Sequence, residues 1–374
     1  MAAPIGSKTP DDFSKPGRFQ YGEADYVFES KPWAEPMPFQ ISEFDRELRG
    51  RWDHAMEKGH FRYTLSTLKT KVIPGKLKYV AQLNMKRATE RRKPQEIQSV
   101  SQPFNPDLFN FLKIREHEIL LELSPEQMMN GVADPSSEDS NTESTNDRNI
   151  IIINISPLEY CNILLVPSVD RCLPQVLTQN AIEVALDMML ISSHQGFRIG
   201  WNSLCAFASV NHLHFHAYYL DKELAIEYAV TKPVIGGCHE IVSYPTRGLA
   251  FQLEERNVKQ LAKLVYRVTS YFHSNEIAHN MFITRGTVFG KDSDSTDRTV
   301  RVYVWPRRSS YGAKTEDAFN IAVCELAGHL PIKVEHEYDT MTEDKASHLL
   351  REASLSVEEF DNVKKQLMPV LNGK

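Results

Sequence analysis

Apolar and polar residues alternate along one central stretch, residues 206–220, which reads AFASVNHLHFHAYYL. His212, His214 and His216 each stand next to an apolar residue there. A period of two is typical of a β-strand, in which residues i, i+2 and i+4 share a face. The pattern therefore predicts a strand that carries three imidazoles on one face.

Other stretches show the periods of helices and of further strands. Apolar residues recur every three or four positions and predict helices at 42–58, 178–193, 257–274, 318–326 and 356–368. Apolar runs bounded by turn residues predict strands at 149–156, 162–167, 197–202, 248–253, 280–284 and 299–305. The order strands, helix, strands occurs twice. It predicts an α+β protein with an antiparallel sheet and an internal duplication, with halves at 41–230 and 231–374.

Two stretches lack a regular apolar pattern. Residues 1–40 are rich in Pro, Gly, Ser and charge, and predict a flexible N-terminal arm. Residues 130–149 are a Ser, Asp, Glu and Asn tract with almost no apolar side chain. Such a composition cannot bury enough apolar surface to fold, so this tract is expected to be a disordered acidic loop.

Composition narrows the class of protein. The 374 residues carry a net charge of −6, whereas a general nucleic-acid binder shows a basic excess. No uninterrupted apolar run reaches the length of about eighteen residues that a membrane span needs. The five cysteines are widely spaced, odd in number and without a C-x-x-C pair. These features predict a cytoplasmic protein with no membrane partner.

The three histidines admit three chemical interpretations. Imidazoles can bind zinc, although a strand places the outer two about 13 Å apart. A neutral imidazole can instead attack phosphorus and form a phosphohistidine, for which one nitrogen suffices. Buried histidines with satisfied hydrogen bonds are the structural alternative. The strand spacing is an obstacle only to the first interpretation.

Two further candidates come from outside this stretch. The Pro-Gly turn in residues 71–84 offers Lys76 and backbone amides to a phosphate, or is simply a turn between strands. Arg307, after the strand at 299–305, is either a cation for the site or a surface arginine. The basic stretch 85–94 is interpreted as a solvated face.

The residues upstream of the histidines complete a motif, N-x6-S-x2-H-x-H-x-H, that begins at Asn202 and includes Ser209. It resembles the motif of the histidine-triad superfamily, in which the middle histidine takes a nucleoside monophosphate. The resemblance implies that His214 is the nucleophile and that His212 and His216 flank it. It also implies that Asn202 and Ser209 orient the phosphate or the histidine.

The segments 71–84, 102–114, 153–167 and 196–220 are similar to the GDP-hexose phosphorylase branch of that superfamily. The similarity covers roughly residues 60–365. It implies a histidine-triad-like antiparallel sheet with packed helices, in two related halves as in galactose-1-phosphate uridylyltransferase. His216 stands where the plant phosphorylases carry Gln, which favours GDP-D-glucose over GDP-L-galactose. The same histidine is the pattern of the superfamily's nucleotide hydrolases, so hydrolysis is the alternative.

The resemblance implies a two-step reaction through a covalent GMP-histidine. Inorganic phosphate is the expected co-substrate, with no other cofactor, no metal and no nucleic-acid partner. Gln82 and Asn84 carry donors and acceptors that suit a guanine edge, and they are the candidates for base contacts.

Overall fold

A computed structural model describes residues 13–29, 33, 41–92, 94–126, 147–292, 295–311 and 320–372. Most of the predicted acidic loop at 130–149 lies outside these ranges, and so do residues 318 and 319 of the helix predicted at 318–326.

Fourteen strands in two sheets occur in the part of the chain that the structure describes. They are β1 (Gly17–Tyr21), β2 (Lys69–Val72), β3 (Val80–Leu83), β4 (Ile119–Pro125), β5 (Asn149–Ile153), β6 (Ile163–Val166), β7 (Phe197–Asn202), β8 (Phe215–Tyr219), β9 (Thr231–Ile235), β10 (Cys238–Ile241), β11 (Leu249–Gln252), β12 (His279–Thr287), β13 (Arg298–Pro306) and β14 (His329–Ile332). The helices are α1 (Glu43–Glu57), α2 (Lys86–Thr89), α3 (Gln179–Ile191), α4 (Val258–Ser274), α5 (Val323–Leu326), α6 (Glu335–Thr340), α7 (Glu343–Ala353) and α8 (Val357–Leu371).

The large sheet has eleven strands in the order β1-β4-β5-β6-β8-β7-β12-β13-β11-β10-β9. In each half, three consecutive strands are followed by a helix and then by two more strands. The last of these two strands inserts beside the third strand of the half. The first half has the strand order β4-β5-β6-β8-β7 and the second half has the order β9-β10-β11-β13-β12, so the two halves share one topology. The α+β architecture with two related halves is confirmed. β8 ends at Tyr219 and β9 begins at Thr231; the predicted boundary at 230 stays a prediction.

β7 and β12 join the two halves as antiparallel neighbours, with Asn202 opposite Asn280. This pairing, which we call the seam, makes one continuous sheet of both halves. Every pair in that sheet is antiparallel except β1 with β4.

The two faces of the large sheet carry different layers. Phe215, Ala217 and Tyr219 of β8 pack into a core with α1, α3, α4 and α8. Tyr218 points to the opposite face, into a second core with the three-stranded sheet β14-β3-β2 and the helices α5 to α7. Because successive strand residues alternate between faces, His216 shares the face of Tyr218.

Capping side chains fix where the main helices begin. The Oγ of Ser42 accepts a hydrogen bond from the Asp45 amide, and the Oγ1 of Thr178 accepts one from Ala181. These bonds satisfy amides that the first turn leaves without an intrahelical partner. The helices predicted at 42–58, 178–193 and 257–274 are confirmed to within two residues at each end.

The N-terminal segment is ordered where the structure describes it. β1 pairs in parallel with β4, and the buried side chain of Tyr21 lies in the main core. The hydroxyls of Tyr21 and Tyr26 donate to the Asp187 carboxylate at 3.0 and 2.6 Å. The expectation of a flexible arm is therefore wrong for residues 13–29, since these contacts tie the segment to α3.

Candidate active site

His214 lies immediately before β8, buried, with its ring held by the backbone. Its Nδ1 lies 2.7 Å from the carbonyl oxygen of His212. A ring nitrogen this close to a carbonyl carries the proton, so Nδ1–H donates and Nε2 keeps its lone pair. The local fold thus selects the tautomer in which the Nε2 lone pair is available for chemistry.

Burial also keeps the His214 ring neutral. It lowers the pKa of His214 to about 4, although the hydrogen bond to the His212 carbonyl opposes this effect. At neutral pH the imidazole is therefore unprotonated and able to attack an electrophile.

Gln175 holds the backbone on both sides of the His214 side chain. Its Oε1 accepts from the His214 amide at 2.9 Å, and its Nε2 donates to the carbonyls of His214 and Asn202 at 3.0 and 2.9 Å. Its own amide donates to the Oδ1 of Asn211 at 2.9 Å. One buried amide side chain therefore connects the end of β7 to the segment that precedes β8.

Replacing Gln175 with leucine is expected to lower the free energy of unfolding by about 2 to 4 kcal/mol, because the His214 amide and two carbonyls lose their buried partner. Urea unfolding would measure the change. Gln179→Leu is the matched control. That glutamine is half-buried and pairs with Glu183 along α3, and its loss should change stability by no more than about 0.5 kcal/mol. Equal effects of the two substitutions would contradict the role assigned to Gln175.

His212 has a supporting position. Its Nδ1 accepts from the Phe111 amide at 3.1 Å, and its ring packs against Phe104 and Phe111. The prediction that all three histidines share one strand face is wrong, because β8 begins at Phe215 and the His212 ring turns into the aromatic cluster. The His214 and His216 rings are neighbours, with centroids 5.3 Å apart.

An open cleft of about 760 Å³, including its mouth, lies beside His214. Apolar side chains form much of its wall: Phe109, Phe111, Ile114, Ile152, Leu164 and Val210. The polar and charged lining includes His214, His216, Ser209, Asn154, Ser156, Arg87, Arg91, Arg92 and Glu118. A cleft that combines apolar walls with convergent polar groups is the usual form of a small-molecule site, and the number of cations here suits an anionic ligand.

Of the residues predicted for the site, His214, His216 and Ser209 line this cleft. Asn202 instead lies at the seam, where its Oδ1 accepts from the Asn280 side chain at 2.6 Å and from the Val323 amide at 2.9 Å. Its side chain is thus engaged with the second half.

Arg307 is neither a surface arginine nor a residue of the cleft. It is buried, and its guanidinium donates to the Oδ1 of Asn280 at 3.3 Å and to the carbonyl of Ile321. Burial lowers its pKa to about 10. These contacts make Arg307 a further member of the seam network.

Lys76, Gln82 and Asn84 also lie apart from the cleft lining. Lys76 is exposed in the turn between β2 and β3, where the next amide donates to Glu343 at 2.6 Å. The Gln82 side chain is buried and contacts Glu159, Thr70 and His329. The Asn84 side chain donates to the Pro157 carbonyl at 3.1 Å. The structure therefore does not bring these three predicted contacts together with His214.

The basic stretch 85–94 supplies residues that the sequence interpretation missed. Asn84 accepts from the Arg87 amide at 3.2 Å, at the start of α2, and Arg87 reaches the Ser156 carbonyl. Arg92 lies over the Phe109 ring, 3.3 Å from its centre. The interpretation as a solvated face is wrong for Arg87, Arg91 and Arg92, which line the cleft. The number of cationic residues in this stretch is evident from the sequence, but the direction in which their side chains point is not.

Within the described ranges, no group of three or more His, Cys, Asp or Glu side chains is placed to hold a metal ion. None of the helices in that same part of the chain has both the length and the apolar character of a membrane span.

The fold is similar to that of solved nucleotide phosphorylases. Yeast Ap4A phosphorylase Apa2 in complex with Ap4A aligns with a TM-score of 0.54 at 15% identity, covering 84% of this chain and 98% of that chain. A second structure of the same enzyme gives a TM-score of 0.55 at 14% identity. At such identity the likeness concerns the fold alone. Fold and motif together define a histidine-triad-like protein.

The sequence comparisons identify the family. Residues 43–218 match the GDPGP1-like N-terminal domain, and residues 229–373 match the GDPGP1-like C-terminal domain. The chain therefore belongs to the GDPGP1-like family. It is 38% identical over 381 residues to GDP-D-glucose phosphorylase 1 of Xenopus laevis, covering 94% of this chain and 96% of that protein.

Two further relatives show how the similarity is distributed. GDP-D-glucose phosphorylase 1 of Danio rerio is 42% identical over 88% of this chain and 92% of its own length. GDP-L-galactose phosphorylase 2 of Arabidopsis thaliana is 32% identical over 84% of this chain and 73% of its own length. Of these two relatives, the Danio rerio enzyme matches at the higher identity.

Proposed function

We propose that the chain is a nucleotidyltransferase that converts GDP-D-glucose and inorganic phosphate to glucose 1-phosphate and GDP. The observation that carries the proposal is His214, whose Nδ1–H bond to the His212 carbonyl leaves Nε2 available beside an arginine-lined cleft. The similarity to GDP-D-glucose phosphorylases over most of both chains supports the substrate. GDP-L-galactose is the second candidate substrate, because GDP-L-galactose phosphorylase 2 of Arabidopsis thaliana is less similar to this chain than the Xenopus laevis and Danio rerio enzymes are.

The reaction proceeds in two displacements at one phosphorus. The Nε2 lone pair of His214 attacks the phosphorus next to guanosine, the bond to the bridging oxygen breaks, and glucose 1-phosphate departs. A GMP-histidine remains, with Nδ1–H still donating to the His212 carbonyl. An oxygen of inorganic phosphate then attacks the same phosphorus, the P–N bond breaks, and GDP leaves with the neutral imidazole restored.

The cleft carries cations for the charge on the diphosphate. Arg87 and Arg91 offer guanidinium groups, which suit phosphate oxygens because their N–H donors form a fixed planar fork. Ser209 and His216 line the same cleft, where a hydroxyl and an imidazole can donate hydrogen bonds to phosphate oxygens. Such prepositioned donors stabilise the charge that develops on the nonbridging oxygens in the transition state.

The pH dependence of the first displacement follows from the His214 pKa of about 4. The neutral form attacks, so kcat/KM for GDP-D-glucose is expected to stay level from pH 8 to about 5 and to fall below that as the imidazole protonates. Initial rates in constant-ionic-strength buffers would test this. An acid limb with a midpoint at an ordinary histidine pKa, about 6.5, would contradict a desolvated nucleophile.

The decisive experiment is a panel of nucleoside diphosphate sugars assayed with and without phosphate. The proposal expects GDP and glucose 1-phosphate from GDP-D-glucose, only when phosphate is present, with slower turnover of GDP-L-galactose. GMP produced by water at a comparable rate would support the hydrolase that His216 leaves as the alternative. No turnover of any GDP-hexose would overturn the proposal.

The remaining expectations belong to the same proposal. Inorganic phosphate is the co-substrate, and no resident cofactor or metal takes part. The substrates are small molecules, and no nucleic acid or membrane is a partner. A cytoplasmic location is supported by the five cysteines, all of which are free thiols.

A further inference from the structure

A continuous run of planar groups follows the cleft wall from the nucleophile to Arg92. The Phe111 ring meets the His214 ring edge to face, with centroids 5.1 Å apart, and the Phe109 ring is nearly perpendicular to that of Phe111, with centroids 5.8 Å apart. The Arg92 guanidinium stacks over the Phe109 ring. Aromatic rings and guanidinium planes are the surfaces on which nucleobases stack. The wall is therefore suited to a flat base joined to a phosphate at His214.

Glu118 is the carboxylate among the residues that line this cleft. It is half-buried, its Oε1 accepts from the Arg115 amide at 3.2 Å, and its charge raises the pKa of Arg92 against the stronger lowering by burial. Besides these two contacts, a carboxylate in this cleft would repel a diphosphate but can accept from a ligand group that donates hydrogen bonds. Guanine has such an edge, with N1–H and the N2 amino group side by side.

We infer that Glu118 is the residue that selects guanine, its carboxylate accepting from N1–H and N2–H while the base stacks on the Arg92 guanidinium, which is itself supported by Phe109. This inference rests on the proposed function for the identity of the base. It assigns base recognition to the segment that precedes β4, and not to Gln82 or Asn84.

The test compares binding of GDP and IDP to the full chain by titration calorimetry, without turnover. Hypoxanthine lacks the 2-amino group, so the wild-type chain should bind GDP about 10- to 100-fold more tightly than IDP, the range for one lost hydrogen bond to a charged group. Glu118→Gln should weaken GDP binding by a similar factor and bring the GDP-to-IDP ratio close to 1, because its amide presents a donor where the base also donates.

The matched control is Glu116→Gln, a change of equal charge at an exposed position of the same turn. Glutamine at 118 can still accept from the Arg115 amide, so the turn is expected to persist, and circular dichroism would verify it. An unchanged GDP-to-IDP ratio in Glu118→Gln would overturn the inference.

Kinetics on the same variants separates this inference from the proposed function. If Glu118→Gln altered the preference between GDP-D-glucose and GDP-mannose while leaving the base ratio intact, Glu118 would be a sugar contact and the inference would be wrong. GDP binding could depend on Glu118 while GDP-D-glucose and phosphate failed to yield GDP and glucose 1-phosphate. The proposed reaction would then be wrong, but the assignment of Glu118 to base recognition would hold.

Discussion

Replacing His214 with alanine is expected to lower kcat/KM for GDP-D-glucose phosphorolysis by roughly 10⁴-fold or more, the loss typical of removing a covalent nucleophile. Alanine has no atom that can form the GMP adduct, whereas the cleft and its arginines remain. Because the imidazole faces an open cleft, the substitution should leave the fold intact. Intact-protein mass spectrometry would show a GMP adduct on the wild-type chain incubated with GDP-D-glucose alone, and none on the variant.

Exchange of label between glucose 1-phosphate and GDP-D-glucose gives a second measurement of the same step. A two-displacement route supports this exchange without inorganic phosphate, and His214→Ala should abolish it. His348→Ala is the control, because that histidine is 72% exposed on α7 and distant in sequence from the motif. Exchange at the wild-type rate in His214→Ala would exclude a covalent route through this residue.

Replacing Glu227 with alanine is expected to lower the free energy of unfolding by about 3 to 5 kcal/mol, the cost of breaking a buried ion pair on one side. Glu227 is fully buried and accepts from Arg198 at 2.7 Å, from Arg298 at 3.4 Å and from Thr284 at 3.2 Å. Its removal leaves two guanidinium groups without their carboxylate inside the protein.

The control for this prediction is Asp170→Ala, which breaks an exposed ion pair. Arg148 and Asp170 are 46% and 51% exposed, and such pairs contribute about 0 to 1 kcal/mol. Chemical denaturation followed by circular dichroism would compare the two variants. Similar midpoints for Glu227→Ala and Asp170→Ala would show that the buried cluster adds little to stability.

Local patterns in the sequence predicted the longest helices and the strands β5 to β7 and β11 to β13, but not β9, β14, α6 or α7. The helices at Ser42, Thr178 and Asn257 follow from apolar spacing and a capping side chain, both of which act within a few residues. The insertion of β8 between β6 and β7 depends on pairings between distant segments, which no local pattern specifies. The order of elements still sufficed to predict the duplication, because each half repeats it.

The candidate site was predictable where it is a contiguous motif. His214, His216 and Ser209 lie within eight residues, and the structure places all three at the cleft. Asn202 was misplaced because its partners, Asn280 and Val323, come from the other half. Arg307 was misplaced because its partners, Asn280 and Ile321, lie in its own half but are distant in sequence. The arginines and Glu118 were missed because a charged residue shows its charge in the sequence, but not the direction of its side chain.

The seam has a consequence for how the molecule behaves on dilution. β7 and β12 pair within one chain, and the Val323 amide of the second half bonds to Asn202 of the first. Were the halves separate polypeptides, their docking would follow mass action and would fail below a dissociation constant. Because one chain connects the halves, each half meets the other at a fixed effective concentration that does not depend on the protein concentration. The support that the second half gives to β7, and through it to β8, is therefore the same at nanomolar and at millimolar protein.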